Sequence, residues 1–209
     1  MGIIIDWVFP KKCLGCDVNG NYLCSKCQKE IKSLGVSYDD KRLEGRIGLF
    51  KYDGITREII RMIKFDFVGD AIKEIGNWMV TALKKDYPNV VATWRKEKYV
   101  MIPVPLHWRR ENWRGFNQSA ELAKVIGDKL KIEVNKDLMI RKKYTKSQAL
   151  RQRGQKSSNV EGAFKIIGKI PKKIIIFDDV WTSGETIKSM IKILPEKTKV
   201  WVLTLCSGR

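Results

Sequence analysis

Runs of apolar residues alternate with amphipathic segments along this chain, and the two patterns predict different elements. In the segment ITREIIRMIKF, Ile59 and Ile63 fall on one side of a helix while Arg61 falls on the other. Helices are therefore predicted for this segment and for AIKEIGNWMVTALKK, SAELAKVIGDKL and ETIKSMIKIL. Strands are predicted for RIGLFKYDG, which ends in an Asp-Gly turn, and for YVMIPVPL, KKIIIFDDV and KVWVLTLC.

The alternation of strands and helices indicates the fold class. Apolar strands followed by amphipathic helices predict an α/β fold, in which helices cover both faces of a parallel sheet. With 209 residues, of which 44% are hydrophobic, the chain is long enough for one domain with a small appendage. The longest apolar runs are far shorter than the roughly 18–20 residues of a membrane span, so no membrane span is predicted. Asp6 interrupts the apolar start, and we expect a cytoplasmic protein.

Four of the five cysteines follow the pattern C-x2-C-x7-C-x2-C: Cys13, Cys16, Cys24 and Cys27. Two C-x2-C turns can close a tetrahedral shell of four sulfurs, and we expect Gly15 and Gly20–Asn21 to supply left-handed backbone positions there. Thiolates suit zinc or an iron–sulfur cluster, and a short, separately folded segment favours structural Zn²⁺. We assign residues 1–35 to this zinc-binding segment and residues 36–209 to the main domain, with Cys206 as a buried hydrophobe.

The strand KKIIIFDDV ends in two adjacent carboxylates, Asp178 and Asp179, and a hydroxyl-rich turn follows it. In an open α/β sheet, ligands bind outside the carboxyl ends of the strands. Backbone N–H groups and hydroxyls after the strand can bind a phosphate, and Gly184 lets the backbone approach it. Two acids would repel a phosphate unless they face hydroxyls or Mg²⁺. We therefore expect a sugar 5-phosphate here, the alternative being an ordinary strand–turn–helix with a solvated acid pair.

The stretch KKIIIFDDVWTSGET resembles the 5-phosphoribosyl-1-pyrophosphate (PRPP) motif of the type I phosphoribosyltransferases. The resemblance implies that Asp178 and Asp179 contact the ribose, with Mg²⁺ accompanying PRPP. It also implies a 5-phosphate loop of Thr182, Ser183, Gly184, Glu185 and Thr186. Trp181 departs from the motif, because that position is usually small or aliphatic in the family.

The order of the motifs along the chain narrows the resemblance further. The four cysteines, FKYDG with IRMIKF, PVPLHWRRENWRGFNQSAELA and RKKYTKSQALRQRGQKSSNVEGAF together resemble the ComF/ComFC family of competence proteins. The resemblance spans essentially the whole chain, with Trp108 and Lys156 as departures. It implies a PRPP-binding protein of DNA uptake that handles single-stranded DNA at the inner face of the membrane, beside helicase or membrane channel proteins.

Two basic segments are candidates for binding pyrophosphate or DNA. The net charge of +18 favours anionic ligands, although a lysine-rich solvated surface explains it equally well. Between Asp137 and Glu161 the chain has seven cations and no acid, so this segment either closes over an anion or is a solvated linker. The candidates are Lys64, His107, Arg109, Arg110, Arg114, Arg141, Lys142, Thr145, Gln148 and Asn159.

Some of these candidates have simpler explanations. In HWRRENWRGFNQ, Trp108 and Trp113 alternate with arginines, a pattern that can stack bases while neutralising phosphates. Packing of both tryptophans against the sheet is the alternative. His107 can equally be structural, and Lys64 can be solvated.

Three functions remain open from the sequence. The first is the DNA-uptake factor, and the second is a metabolic phosphoribosyltransferase that transfers phosphoribose from PRPP to a nitrogen acceptor. The third is a structural adaptor whose PRPP motif is vestigial. No sequence feature selects an acceptor, so the sequence leaves open whether the chain is an enzyme.

Overall fold

The computed structural model describes residues 11–38, 40–65, 69–143 and 162–208. Its elements, in chain order, are α1 (Ser25–Glu30), β1 (Val36–Ser37), β2 (Gly45–Lys51), α2 (Gly54–Phe65), α3 (Gly69–Asp86), α4 (Pro88–Lys96), β3 (Val100–Pro103), α5 (Trp108–Arg114), α6 (Gln118–Leu130), β4 (Glu133–Val134), β5 (Met139–Arg141), β6 (Phe164–Ile166), β7 (Lys173–Trp181), α7 (Glu185–Ile191) and β8 (Lys199–Ser207). Every helix and strand predicted from the apolar pattern is present, with ends shifted by a few residues.

The central sheet has six strands in the order β1-β2-β8-β7-β3-β4. All neighbouring pairs are parallel except β1 and β2. Strands β5 and β6 form a separate antiparallel pair. The predicted α/β fold with a largely parallel sheet is confirmed, and it is consistent with the phosphoribosyltransferase-like fold.

Helices cover both faces of the sheet, because β7 has apolar side chains on both faces that need to be buried. Ile175 and Phe177 of β7 belong to the larger core cluster, which also contains residues of α2, α3 and α6. Ile174 and Ile176 point to the other face and pack with residues of α7. Helices α3 and α6 cross closely at Gly76, where an added Cβ would lie 2.6 Å from Val125.

The direction of the strand connections reverses between β3 and β7. The chain leaves β3 through α6 toward β4, and it leaves β7 through α7 toward β8, in the opposite direction along the sheet. Such a reversal of strand order is where open α/β sheets bind ligands, at the carboxyl ends of the strands. The topology therefore predicts a ligand site at the carboxyl ends of β3 and β7.

Strand β7 ends one residue beyond the predicted strand KKIIIFDDV. It runs through the acid pair, as predicted, and reaches Trp181, because β8 pairs with it up to Trp181↔Ser207. On the other side, β3 ends at Pro103, opposite Phe177. Asp178 and Asp179 thus lie where β7 still pairs with β8 but no longer pairs with β3, so side chains from helices can reach them on that side.

No helix of the described residues is long and apolar enough to cross a membrane.

Candidate functional site

The two acids of β7 are held by side chains from two helices. Asp179 is buried, with 3% of its surface exposed; its Oδ2 forms an ion pair with Lys64 Nζ at 3.0 Å and accepts a hydrogen bond from Gln118 Nε2 at 3.1 Å. Asp178 is half-buried, and its Oδ1 accepts from Ser119 Oγ and from the backbone N of Asp179, both at 2.9 Å. The first turn of α6 therefore contacts both acids.

Each carboxylate keeps one oxygen available. Asp178 Oδ2 and Asp179 Oδ1 accept no hydrogen bond from a described residue. Burial, reinforced by the neighbouring charge of Asp179, raises the pKa of Asp178 to about 7, although Lys64 opposes this shift. The pair therefore has acceptors free for hydroxyl groups, and it is costly to hold in the fully ionised state.

The turn after β7 is shaped by an aromatic residue below it. Gly184 has φ 74°, and a Cβ added there would lie 2.3 Å from Trp181 Cζ2. Trp181 is itself buried, and the Arg46 guanidinium lies 4.8 Å from its ring centroid. Arg46 also donates to Ser207 Oγ at 3.3 Å. Only glycine fits position 184, both for its backbone conformation and because Trp181 fills the space a side chain would need.

Helix α5 lies beside the acid pair and is anchored through its last residue. Arg114 is buried and its Nη1 donates to Gln118 Oε1 at 2.7 Å, so Gln118 links this cation to Asp179. Burial lowers the pKa of Arg114, with a further decrease from Arg110, and the charge of Asp179 opposes it. The Arg114 guanidinium also lies 5.3 Å from the ring centroid of Phe65, the last residue of α2.

Both tryptophans of α5 are exposed, and packing against the sheet is excluded for them. Trp108 is 60% exposed and Trp113 is 64% exposed. Trp113 contacts Phe65 edge-to-face, with ring centroids 6.2 Å apart, and the Arg109 guanidinium lies 5.3 Å from the Trp108 ring. This leaves aromatic faces and cations together on the surface of α5.

The buried His107 has a structural position. It caps α5, because its Nδ1 accepts a hydrogen bond from the backbone N of Arg109 at 3.3 Å. It also forms an isolated parallel bridge with Arg141 of β5. Burial lowers the pKa of Arg141, as does Arg110, whereas the charge of Asp178 opposes the shift. Arg141 is therefore close enough to the acid pair for the charge of Asp178 to act on it, and Arg110 is close enough to act on Arg141.

The four predicted zinc ligands lie together. The sulfurs of Cys13, Cys16, Cys24 and Cys27 are all within 4.8 Å of one another, and Cys16 Sγ is 3.6 Å from Cys24 Sγ. Four thiolates at Zn–S distances of about 2.3 Å would be about 3.8 Å apart, so the group fits a tetrahedral zinc ion. Burial opposes ionisation of Cys13, but N–H groups of Cys24, Gly15 and Cys16 lower the pKa of Cys13 to about 6.

One detail of the cysteine segment differs from the prediction. The left-handed positions are Gly20, with φ 110°, and Asp17, with φ 57°, whereas Gly15 and Asn21 are not left-handed. Gly15 is needed for space, because an added Cβ would lie 2.7 Å from Cys27 Sγ and 2.8 Å from Ile55 Cδ1. The sequence predicted a turn role for Gly15, whereas in the structure this glycine is needed for a tertiary contact between the cysteine segment and α2.

The cysteine segment packs against the main sheet domain through α3. The backbone N of Leu23 donates to Glu74 Oε1 at 2.8 Å, and Lys11 Nζ lies 3.1 Å from Asp70 Oδ2. Cys13, Leu23 and Cys27 belong to the larger core cluster. The division of the chain at residue 35 stays a prediction.

Comparisons with known proteins find relatives in the family that the order of the motifs resembles. The chain is 29% identical to Competence protein ComFC of Bacillus subtilis (strain 168) over 168 residues, which is 77% of this chain and 62% of that protein. It is 27% identical to Competence protein ComFC of Streptococcus pneumoniae over 176 residues, 83% of this chain and 69% of the relative. The resemblance to the ComF/ComFC family is confirmed. The matched region is somewhat less than two thirds of the Bacillus subtilis relative.

A second group of relatives consists of proteins named DNA utilization protein YhgH. DNA utilization protein YhgH of Shigella flexneri is 29% identical over 113 residues, which cover 52% of this chain and 48% of that protein. No family model matches the chain. The similarity to ComFC proteins therefore rests on pairwise comparison and on the order of the motifs.

The structure gathers several of the predicted site residues around the acid pair and leaves others undescribed. Those close to the pair, by contact or by charge, are Lys64, Arg114 and Arg141, and the charge of Arg110 acts on the last two. Lys64 pairs with Asp179 and its side chain is 23% exposed, so it is partly buried at the acid pair and not a fully solvated lysine. Thr182, Ser183, Glu185 and Thr186 follow β7 as predicted, and Lys142 follows β5. Thr145, Gln148 and Asn159 lie outside the described residues.

Sequence reasoning missed four residues that shape the site. Gln118 and Ser119 contact the acids, Phe65 contacts Trp113, and Arg46 lies over Trp181. Asn117 was a usable signal for the first two, because it caps α6 and so indicates that the next residues form the first turn. No local pattern distinguishes Phe65 or Arg46 from core and surface residues.

Proposed function

We propose that this chain is a DNA-uptake factor that binds single-stranded DNA on α5 and holds a ribose 5-phosphate ligand such as PRPP at the acid pair. The observation that supports the DNA part is the exposure of Trp108 and Trp113 on a short, arginine-rich helix. The role in uptake is supported by the similarity to proteins named competence protein and DNA utilization protein.

The composition of α5 suits a single strand better than a duplex. Exposed aromatic rings bind unpaired bases by stacking, at about 1–3 kcal/mol per base, while cations neutralise the backbone. Trp108 and Trp113 are five residues apart, which is about 7.5 Å along a helix and about 140° around it, so a flexible strand that crosses α5 obliquely can reach both. The neighbouring Arg109 and Arg110 supply the charge.

The acid pair suits a sugar phosphate. Asp178 and Asp179 each present a free carboxylate oxygen, which accepts hydrogen bonds from ribose hydroxyls. The hydroxyls of Thr182, Ser183 and Thr186 follow directly, with Gly184 allowing close approach of a phosphate. Mg²⁺ would neutralise the pyrophosphate group of PRPP.

Transfer of phosphoribose to a nitrogen acceptor is the second candidate. Lys64, Arg114 and Arg141 surround the acid pair and could neutralise a departing pyrophosphate. Release of pyrophosphate from PRPP in the presence of a panel of nucleobases and amines tests this activity.

Single-strand binding is tested by fluorescence anisotropy with a labelled oligothymidine at several salt concentrations. Replacing both Trp108 and Trp113 by leucine should weaken binding at least tenfold, and Tyr38→Leu, at an equally exposed aromatic elsewhere, should not. Arg109→Gln should reduce the slope of log K against log salt by about 0.7. No binding by the wild-type protein at low salt would contradict the DNA role.

Binding of the sugar phosphate is tested separately by calorimetry with PRPP and Mg²⁺. The wild-type protein should release or absorb heat with a single-site isotherm, and Asp179→Ala should weaken the affinity without unfolding the chain. Unchanged affinity in that variant would contradict the site assignment, and no heat with the wild type would indicate a vestigial motif.

A further inference from the structure

The acid pair and the surface of α5 are joined by a closed ring of contacts. Asp179 binds Lys64, and Phe65, the next residue of α2, lies under the Arg114 guanidinium. Arg114 donates to Gln118, which donates back to Asp179. Trp113 is attached to this ring through its edge-to-face contact with Phe65. A base stacked on Trp113 is therefore next to the groups that hold the acid pair.

We propose that this combined site binds the 3′-terminal nucleotide of single-stranded DNA, with its free 3′-hydroxyl on the acid pair and its base on Trp113. The inference rests on the proposed function, because it joins the two ligand classes proposed there into one. A 3′-terminal nucleotide has a base, a free 3-hydroxyl and a 5-phosphate group, so it shares the last two features with a ribose 5-phosphate.

The charge of the acid pair selects the kind of strand end. The free oxygens of Asp178 and Asp179 accept a hydrogen bond from a hydroxyl, whereas a phosphate on the same sugar oxygen would meet two carboxylates. Internal nucleotides and the 5′-terminal nucleotide of a strand carry a phosphodiester on their 3′-oxygen. Only the 3′-terminal nucleotide presents a free hydroxyl there, so the pair discriminates against the other positions.

A buried cation provides a second, independent observation at this site. Arg114 is 7% exposed, and its Nε has no hydrogen-bond partner among the described residues, although its Nη1 binds Gln118. A buried N–H group without a partner is costly, and an acceptor from a ligand would relieve that cost. A strand whose base lies on Trp113 brings its sugar and phosphate oxygens close to this group.

Trp113 and Trp108 should differ in this role. Trp113 joins the ring through Phe65, whereas Trp108 contacts His107 and Arg109 at the other end of α5. Their exposed fractions are nearly equal, so general base stacking would use both alike. Trp108→Leu is therefore a matched control for Trp113→Leu.

The test compares three oligothymidines of one length with the same internal label, using the zinc-loaded full chain. One has a 3′-hydroxyl, one has a 3′-phosphate and one is circular. We expect the 3′-hydroxyl strand to bind about fivefold or more tightly than the 3′-phosphate strand and the circle. Attraction of a polyanion to a chain of charge +18 predicts the opposite order for the first two, because the 3′-phosphate adds a negative charge.

Three variants and a competitor complete the test. Trp113→Leu and Asp178→Asn should each remove the preference for the 3′-hydroxyl end, whereas Trp108→Leu should weaken all three strands and preserve it. Ribose 5-phosphate should compete with the 3′-hydroxyl strand and leave binding of the circle unchanged.

The outcomes separate this inference from the proposed function. Equal affinity for all three strands, or tighter binding of the 3′-phosphate strand, would overturn the inference and leave single-strand binding in place. Failure of every strand to bind at low salt would overturn the DNA role itself. Loss of the preference in Trp108→Leu to the same extent as in Trp113→Leu would also overturn the assignment of the base to Trp113.

Discussion

Replacing Lys64 by methionine tests the electrostatics on which the acid site depends. Lys64 Nζ lies 3.0 Å from Asp179 Oδ2, and the exposed fractions of the two side chains are 23% and 4%. Methionine keeps the length and apolar stem of lysine but leaves Asp179 buried without its ion-pair partner. Removing one partner of a fully buried ion pair costs about 3–5 kcal/mol. Because Lys64 is partly solvated and Gln118 still donates to Asp179, we expect a loss of about 2 kcal/mol at pH 8.

The loss should depend on pH with a definite sign. The pKa of Asp178 is raised to about 7 by burial and by Asp179, so its ionisation destabilises the fold as the pH rises from about 4 toward 7. Lys64 lowers the pKa of Asp178, and without it that destabilisation is larger. The cost of Lys64→Met should therefore be greatest at pH 8 and smaller at pH 5, where the acid pair takes up a proton.

Urea unfolding at pH 5 and pH 8 measures this effect in a double-mutant cycle. In Asp179→Asn, Lys64 loses its partner but can turn toward solvent, so the double variant should be more stable than Lys64→Met alone. Arg61→Met is the matched control, because its ion pair with Glu58 on the same helix is exposed and should contribute less than about 0.5 kcal/mol. A cost for Lys64→Met no larger than the control, or one independent of pH, would refute the reasoning.

Three further predictions concern other parts of the structure. Cys24→Ser should lower the zinc content and loosen the amino-terminal segment; undiminished zinc by elemental analysis would contradict the four-thiolate site. Gly184→Ala should lower the free energy of unfolding by about 2 kcal/mol, because φ is 74° and the new Cβ would meet Trp181. The control Gly208→Ala should change the free energy of unfolding little, because a Cβ there lies 3.6 Å from its nearest neighbour. Asp178→Asn should raise the thermal midpoint at pH 8 but not at pH 5, because it removes a charge that burial disfavours. The amide oxygen of the new asparagine can still accept the hydrogen bond from Ser119. An equal rise at both pH values would be evidence against that cause.

Local patterns in the sequence were sufficient for the fold class and for two candidate sites. The period of apolar residues depends on neighbours in the chain, so it predicted the helices and strands that build the sheet. The C-x2-C spacing similarly fixed which sulfurs could meet, and the structure places all four together. The adjacent acids and the turn after them also follow one another in sequence, and their place at the carboxyl end of a strand could be inferred from that order.

The environment of the acids was decided only by the tertiary structure. Ser119 and Asp178 are 59 residues apart, and Gln118 and Asp179 are 61 apart, so their contacts depend on how α6 crosses the sheet. The pairing of Lys64 with Asp179 depends likewise on where α2 ends. Whether a tryptophan is buried or exposed is also a property of the folded surface: the pattern of α5 permits both, and the packing of its last turn through Arg114 leaves Trp113 outside.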